Sequence, residues 1–293
     1  MTALCLGIGG WSQSALRQRR AVARLHAIGI RVDYGPEHGK NYPLSDWIAS
    51  WIGIDFVSAA TTLSGHDTFD RRHREEFFSA LAELPHVKHI WFYEDFGMTD
   101  DDLQEFSEVR GLESFLIAGS RVSVAGLVHL EQLKKLQELS VVHCRVTPEF
   151  AQAIGRLRTL TKLHIGGAAL SNEVLRGIGT LSQLEVLSLS DAVQITDAGL
   201  PHLAAMPRLR HVAIAEAQIS DAGLQSFAGL EELQSLYIRE ADVSDRGLEC
   251  LISLWKLESV CLRSGTDLTR FQGFRAARPN CKLGDGRWSC CLR

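Results

Sequence analysis

LEVLSLSDAVQITDAGL, which spans Leu184–Leu200, contains two patterns that recur along most of the chain. The first is L-x-x-L-x-L and the second is I-T-D-A-G-L. The first pattern starts at Leu112, Leu136, Leu160, Leu184, Leu209, Leu233 and Leu257, a period of 24 residues with one step of 25. One structural unit is therefore repeated through the chain.

Within one repeat the two patterns predict a strand and then a helix. Residues two apart share one face of a strand, so Leu187 and Leu189 point into the core and Ser188 points away. Thr196 can cap a helix, and Asp197 favours its positive end. The period and pattern predict an α/β leucine-rich repeat solenoid of about nine repeats. We expect a right-handed horseshoe with a parallel concave sheet and short convex helices.

The repeats also predict the domain boundaries. Nine strands are expected, centred near residues 54, 90, 115, 139, 163, 187, 212, 236 and 260. The first strand, around Ile54, is followed by a surplus of residues that we assign to a polar loop from Thr61 to Arg72. We expect a flanking segment with a basic helix and a short strand at 1–49, the solenoid at 50–270, and a C-terminal cap and tail at 271–293.

These motifs resemble the cysteine-containing class of leucine-rich repeats found in F-box-type ubiquitin ligase adaptors. Only Cys144 matches the cysteine of that class, since alanines stand at 192, 217 and 241. No segment before Trp51 resembles an F-box. The lead-in from Arg17 to Asp55 is similar to that of repeat proteins abundant in planctomycete-type bacteria. The resemblances imply, respectively, a substrate-recognition subunit and a membrane-attached protein.

Composition and spacing argue against several kinds of ligand. The formal net charge of −4 gives no reason to expect nucleic acid as the main partner. The seven cysteines include no C-x-x-C pair and no cluster with zinc spacing, so we expect neither a disulfide framework nor a metal site. No histidine has a nucleophile or carboxylate at a diagnostic spacing. A cytoplasmic, monomeric, non-enzymatic protein without a cofactor is expected.

The N-terminal region carries a basic segment. Arg17, Arg19, Arg20 and Arg24 lie on a predicted helix, capped by Ser12 or Ser14 and ended by Gly29. Its expected apolar side is Leu16, Val22, Leu25 and Ile28. The chain has no run of about 18 apolar residues that would cross a membrane. The basic helix is interpreted as a solvated face or, alternatively, as a contact with a membrane surface.

The third, fifth and seventh positions of each L-x-x-L-x-L-x frame are predicted to point away from the core, onto the concave face. They include an aromatic group near one end and an aromatic-basic group near the other, and these residue types often dominate interfaces. The candidate partner-binding residues are His89, Trp91, Tyr93, Lys162, His164, His211, Tyr237, Arg239 and Arg263. Local packing is the alternative for the Trp91 group.

Three functions fit this sequence. The first is a non-catalytic module that binds a polypeptide on the concave face. The second is a membrane-associated structural or scaffold protein anchored through its N-terminal side. The third is the recognition subunit of a ubiquitin-ligase-like complex.

The strand phasing gives a direct test. Leu187→Ala is expected to lower the free energy of unfolding by about 2–5 kcal/mol, because it leaves a core cavity. Ser190→Ala, on the opposite face, is expected to change it by at most about 0.5 kcal/mol. Equal losses in denaturant melts of the two variants would contradict the phasing.

Overall fold

The computed structural model describes residues 2–34, 60–65, 71–92, 97–119, 121–167, 170–239, 243–262 and 268–284. Its strands form one 11-stranded sheet in strict sequence order. The first strand pairs antiparallel with the second, and every later pair is parallel. Sequential order in a parallel sheet requires each repeat to cross back over the same face, as a solenoid does.

The strands are short and evenly spaced. They are β1 Arg31–Tyr34, β2 Ala60–Gly65, β3 His89–Phe92, β4 Ser114–Ala118, β5 Glu138–Val142, β6 Lys162–Gly166, β7 Val186–Ser190, β8 His211–Ala215, β9 Ser235–Arg239, β10 Ser259–Cys261 and β11 Lys282–Gly284.

The connecting helices follow the same rhythm. They are α1 Thr2–Ala27, α2 Arg74–Leu81, α3 Asp100–Phe106, α4 Val124–Leu130, α5 Pro148–Ile154, α6 Asn172–Ile178, α7 Asp221–Leu224, α8 Asp245–Leu248 and α9 Gln272–Ala277. The repeat after β7 has a 3-10 helix at Leu200–Ala205 instead, which has Pro201 in its first turn.

The predicted alternation of faces is confirmed. Leu187 and Leu189 are buried while Ser188 and Ser190, on the same strand, are partly exposed. The leucines of successive frames form one continuous core between the sheet and the helices. The chain is a leucine-rich repeat solenoid. The sheet surface that points away from the helices, the predicted concave face, is called the open face below.

The start of the sheet differs from the prediction. The loop expected from Thr61 is instead β2, which pairs in parallel register with β3 through Leu63 and Ile90. The expected strand around Ile54 lies outside the described residues. Ala60 and Leu63 are the apolar core residues of β2, so its sequence matches the L-x-x-L-x-L pattern too weakly for a strand to be recognised. With β11 in the C-terminal cap, the described residues contain ten parallel strands rather than nine.

The N-terminal helix covers the first repeat. Val22 and Leu25 are buried against it, and Arg24 pairs with Glu83 beside α2. α1 begins at Thr2, so the expected caps at Ser12 and Ser14 are wrong, and Leu16 is 42% exposed rather than packed. The predicted end at Gly29 is confirmed by its left-handed φ of 84° and the bond from Ile30 N to Leu25 O.

The other three arginines of this helix, Arg17, Arg19 and Arg20, are exposed. Among the described residues, no helix is long and apolar enough to cross a membrane.

A carboxylate ladder joins successive repeats on the helix side. Asp197 accepts hydrogen bonds from the backbone N and the Oγ of Ser220, at 2.9 and 2.5 Å. Asp221 accepts the same pair from Ser244, at 2.7 and 2.6 Å. The Ser220 hydroxyl also accepts from Ala222 N and so caps its own helix. Each aspartate therefore holds the helix start of the next repeat.

The glycine of I-T-D-A-G-L makes room for this ladder. A Cβ on Gly223 would lie 2.1 Å from Asp197 Oδ1, and one on Gly247 would lie 2.1 Å from Asp221 Oδ1. Both glycines are in the helical region, so space and not backbone conformation requires them. Asp100 faces Gly126, Asn172 faces Gly199 and Asp245 faces Gly273 in the same way.

The ladder is interrupted at two repeats. Val124 and Pro148 replace the aspartate, and Phe150 and Val174 replace the glycine of the repeat that follows each. Here α5 and α6 approach closely through small residues, and a Cβ on Gly177 would lie 2.8 Å from the Cβ of Ala151. Direct packing replaces the carboxylate link between α5 and α6.

The ladder ends on the C-terminal cap. Asp245 accepts from the backbone N of Gly273 and of Phe274, at 2.9 and 3.0 Å. Phe271 and Phe274 are fully buried and close the core. A terminal cap of this kind is what a solenoid needs, because its last repeat has no neighbour to cover it.

A double-mutant cycle tests the ladder. Gly223→Ala alone is expected to destabilise the protein, because the new methyl group collides with the Asp197 carboxylate. In an Asp197→Ala background the same change should cost much less, since alanine is intrinsically the better helix former by about 1 kcal/mol. Chemical denaturation of the four proteins should give a coupling energy of about 0.5–3 kcal/mol. Additive effects would show that the two residues do not constrain each other.

Candidate binding cleft

A cleft of about 640 Å³ opens on the open face between β3 and the end of β7. Strands β4 to β7 cross its floor and Trp91 of β3 lines one wall, so residues from five consecutive repeats meet in it. It is lined by Trp91, Leu116, Glu138, Ser140, Val142, His143, His164, Gly166, Ser190 and Asp191. The cleft brings together two residues predicted for binding, Trp91 and His164.

Trp91 forms the N-terminal wall of the cleft. Its indole Nε1 donates to Ser114 Oγ at 2.8 Å, which directs the ring across β4. Ser114, Leu116 and Ala118 were predicted to be exposed, yet all three are buried. The His89 ring lies beside Trp91 at 5.5 Å between centroids. The wall is therefore held in place by a hydrogen bond and ring contact.

The missing side chain of Gly166 deepens the floor. A Cβ there would lie 2.5 Å from Ser190 Oγ on the neighbouring strand. Leu116, Ser140 and His164 are register partners on the three neighbouring strands β4, β5 and β6. The floor therefore changes from apolar near β4 to polar near β6.

Two residues at the far rim have left-handed backbone conformations. His143 has a φ of 56° and Asp191 a φ of 57°, each directly after its strand. Gly119 and Glu216 occupy the same position in other repeats, with φ values of 50° and 66°. Non-glycine residues rarely adopt this conformation, although Asp and His do so more readily than most. This turn sets both side chains at the cleft edge.

The cleft carries carboxylates at both ends. Glu138 lies at the start of β5, where its Oε2 is 3.9 Å from Lys162 Nζ, and both side chains are exposed. Asp191 lies at the opposite end, and no ion pair to it is found among the described residues. Burial lowers the pKa of His164, while the charge of Asp191 and a hydrogen bond with the Ser188 backbone oppose that shift. His164 is therefore neutral at neutral pH.

The remaining predicted residues are distributed over the open face. His211 and Arg239 are exposed on β8 and β9, but they do not line the cleft. Tyr237 was expected in an exposed aromatic-basic group, and it is instead buried, at 9% exposure. Its neighbour in the sheet register, Cys261, is also buried. Tyr93 and Arg263 lie outside the described residues.

Several cleft residues were not identified as binding residues from the sequence. Glu138, Ser140 and Ser190 follow the frame, but nothing in their type distinguishes them from scaffold positions. His143 and Asp191 lie just past the frame, where the sequence alone does not reveal the turn. Trp255, which is 71% exposed in the loop before β10, was also missed. Lys256 Nζ lies 4.8 Å from its ring centroid.

Among the described residues, no group of three or more His, Cys, Asp or Glu is placed to hold a metal ion. Cys144, Cys250 and Cys281 are not in disulfides, and the Cys144 thiol donates to Val142 O at 3.3 Å. Cys261 is disulfide-bonded, whereas the sequence had led us to expect no disulfide framework.

Comparison with known proteins gives distant similarities. No family model matches the sequence. A Caenorhabditis elegans protein, EEED8.10, whose name calls it a candidate RNA-binding protein, is 22% identical over 188 residues, covering 52% of this chain and 25% of that protein. The chain therefore spans about a quarter of that relative's length.

Two solved structures from Listeria monocytogenes are also similar. Internalin C2 superposes with a TM-score of 0.45 at 20% identity, covering 67% of this chain and 80% of its own. The internalin InlF superposes with a TM-score of 0.37 at 14% identity, covering 83% and 94%. The leucine-rich repeat class of this protein is defined by its own repeats, sheet order and core.

Two half-buried histidines of the open face make stability depend on pH. Burial lowers the pKa of His89 and of His164. A lowered folded-state pKa means that the unfolded chain binds more protons, so stability is full above about pH 6.5 and falls below it. The melting temperature should therefore drop between pH 7.5 and 5.5, and His164→Gln should reduce the drop. An unchanged drop in that variant would contradict a contribution from His164.

Proposed function

We propose that this protein is a non-catalytic binding module that recognises a polypeptide partner on the open face of its solenoid. The observation that carries the proposal is the cleft between Trp91 and Asp191. It combines an aromatic wall, a floor of small residues and charged rims on a rigid sheet.

The dimensions of the open face suit a protein partner. Neighbouring strands are about 4.8 Å apart, so the ten parallel strands form a ribbon of about 43 Å. A standard protein interface covers about 800 Å² on each partner. Aromatic residues at such a surface often supply most of the binding energy, and Trp91 is held ready by its bond to Ser114. Small residues such as Gly166 and Ala213 let a partner's backbone approach closely.

The two alternatives differ in the part of the molecule that they would use. A membrane-associated scaffold would use α1, where Arg17, Arg19 and Arg20 are exposed while Arg24 is engaged by Glu83. A recognition subunit of a ligase-like complex would still bind its substrate through the solenoid. The open-face cleft is therefore the part that the first and third functions share.

Blocking the cleft tests the proposal. Ser190→Phe places a ring over Gly166 without removing a core residue. Affinity capture from the native cell lysate with this variant is expected to lose at least one protein that the wild type retains, at least tenfold by quantitative mass spectrometry. Crosslinks from that protein should then map to β4–β7.

Ser182→Phe is the matched control, because it makes the same change in the exposed turn before the same strand. It should retain every protein that the wild type retains, and both variants should melt within a few degrees of the wild type. Identical capture by all three proteins would count against the open face as the binding surface.

A further inference from the structure

Building on the proposed function, we infer that the cleft recognises a basic segment of the partner, with two arginine side chains that reach the carboxylates at its opposite ends. One arginine is placed at Glu138 beside Trp91, and the other at Asp191. The occupant is an extended polypeptide, since the two carboxylates are too far apart for one side chain.

The separation follows from the sheet geometry. Glu138 starts β5, and Asp191 follows the end of β7, two strands away and five residues further along. At about 4.8 Å per strand and 3.3 Å per residue, the two positions are about 19 Å apart. An extended chain advances at most about 3.3–3.6 Å per residue, so arginines five positions apart match this span once their side chains reach inward.

The charges around the cleft favour a cationic occupant. Glu138 and Asp191 are the acidic lining residues, and no lysine or arginine lines the cleft. Lys162 pairs with Glu138 at 3.9 Å, and both side chains are exposed. An exposed pair of this kind contributes little, so an incoming arginine can displace it. His164 on the floor is neutral and does not oppose a cation.

Trp91 makes arginine a better fit than lysine at the Glu138 end. Ser114 lies directly beside Glu138 in the sheet register, and the Trp91 indole is bonded to Ser114. The indole and Glu138 therefore line the same end of the cleft. A guanidinium group can stack on an indole and bind a carboxylate through two parallel hydrogen bonds, whereas an ammonium group is a point charge.

A pair of peptides tests the inference without knowledge of the natural partner. The probe is fluorescein-labelled Gly-Arg-Ser-Gly-Ser-Gly-Arg-Gly, and its control carries citrulline, which is neutral and nearly the same shape, at both arginine positions. Fluorescence anisotropy titrations with the full chain should give at least tenfold tighter binding for the arginine peptide. Raising the salt concentration should weaken that binding, because exposed charges are screened.

The variants separate charge from shape. Glu138→Gln with Asp191→Asn removes both charges and keeps the volume, and asparagine tolerates the left-handed conformation at 191. This double variant should bind the arginine peptide at least tenfold more weakly. Lys162→Met removes the competing cation and should tighten binding severalfold. Ser182→Phe should leave binding unchanged.

Equal binding of the two peptides, no arginine-peptide binding at about 1 mM, or full binding by the double variant would each overturn the inference. The proposed function fails separately, if Ser190→Phe loses no protein in the capture experiment. A partner that is lost by Ser190→Phe and retained by the carboxamide double variant would uphold the function and reject the basic segment.

Discussion

The hydrogen bonds from one repeat's helix start to the aspartate of the repeat before it are the constraint on which the regular stacking depends. Asp197 and Asp221 each receive two bonds from a serine that caps the following helix. These bonds set the spacing between neighbouring helix starts on the helix side of the solenoid. Parallel strand pairing sets the spacing between neighbouring repeats within the sheet. The I-T-D-A-G-L motif therefore encodes a contact between neighbouring repeats, because the glycine of one repeat leaves room for the aspartate of the repeat before it.

The sequence predicted most of the scaffold for a physical reason. Core leucines and capping hydroxyls recur at a fixed period, and each has one structural use, so Leu187 and Ser220 could be placed correctly. The loop predicted from Thr61 was wrong because β2 has few apolar side chains by which a strand could be recognised. The helix start at Thr2 was missed because Ser12 and Ser14 also satisfy the capping rule. A local rule cannot locate a helix start when several positions satisfy it.

The cleft was predictable only in part. Trp91 and His164 were found because the frame shows which strand positions leave the core. The burial of Ser114 and Leu116 depends on the orientation of one indole ring, and the rim at His143 and Asp191 depends on a backbone turn after the strand. Tyr237 is a further case, since it occupies a frame position that points away from the core and is nevertheless buried. Orientation and cover are tertiary properties, which no single repeat contains.

The interrupted ladder has a mechanical consequence for the molecule. The two repeats without a side-chain link at the aspartate position, at Val124 and Pro148, contain β4 and β5, two of the strands that cross the floor of the cleft. The paired bonds to each aspartate resist sliding between neighbouring helix starts. Between α5 and α6 such a pair is replaced by close packing and by a bond from Thr180 Oγ1 to Gly155 O, at 2.8 Å, just past the C-terminal ends of the two helices. Resistance to sliding between repeats is therefore expected to change along the solenoid, and the repeats without the carboxylate link are among those that carry the cleft.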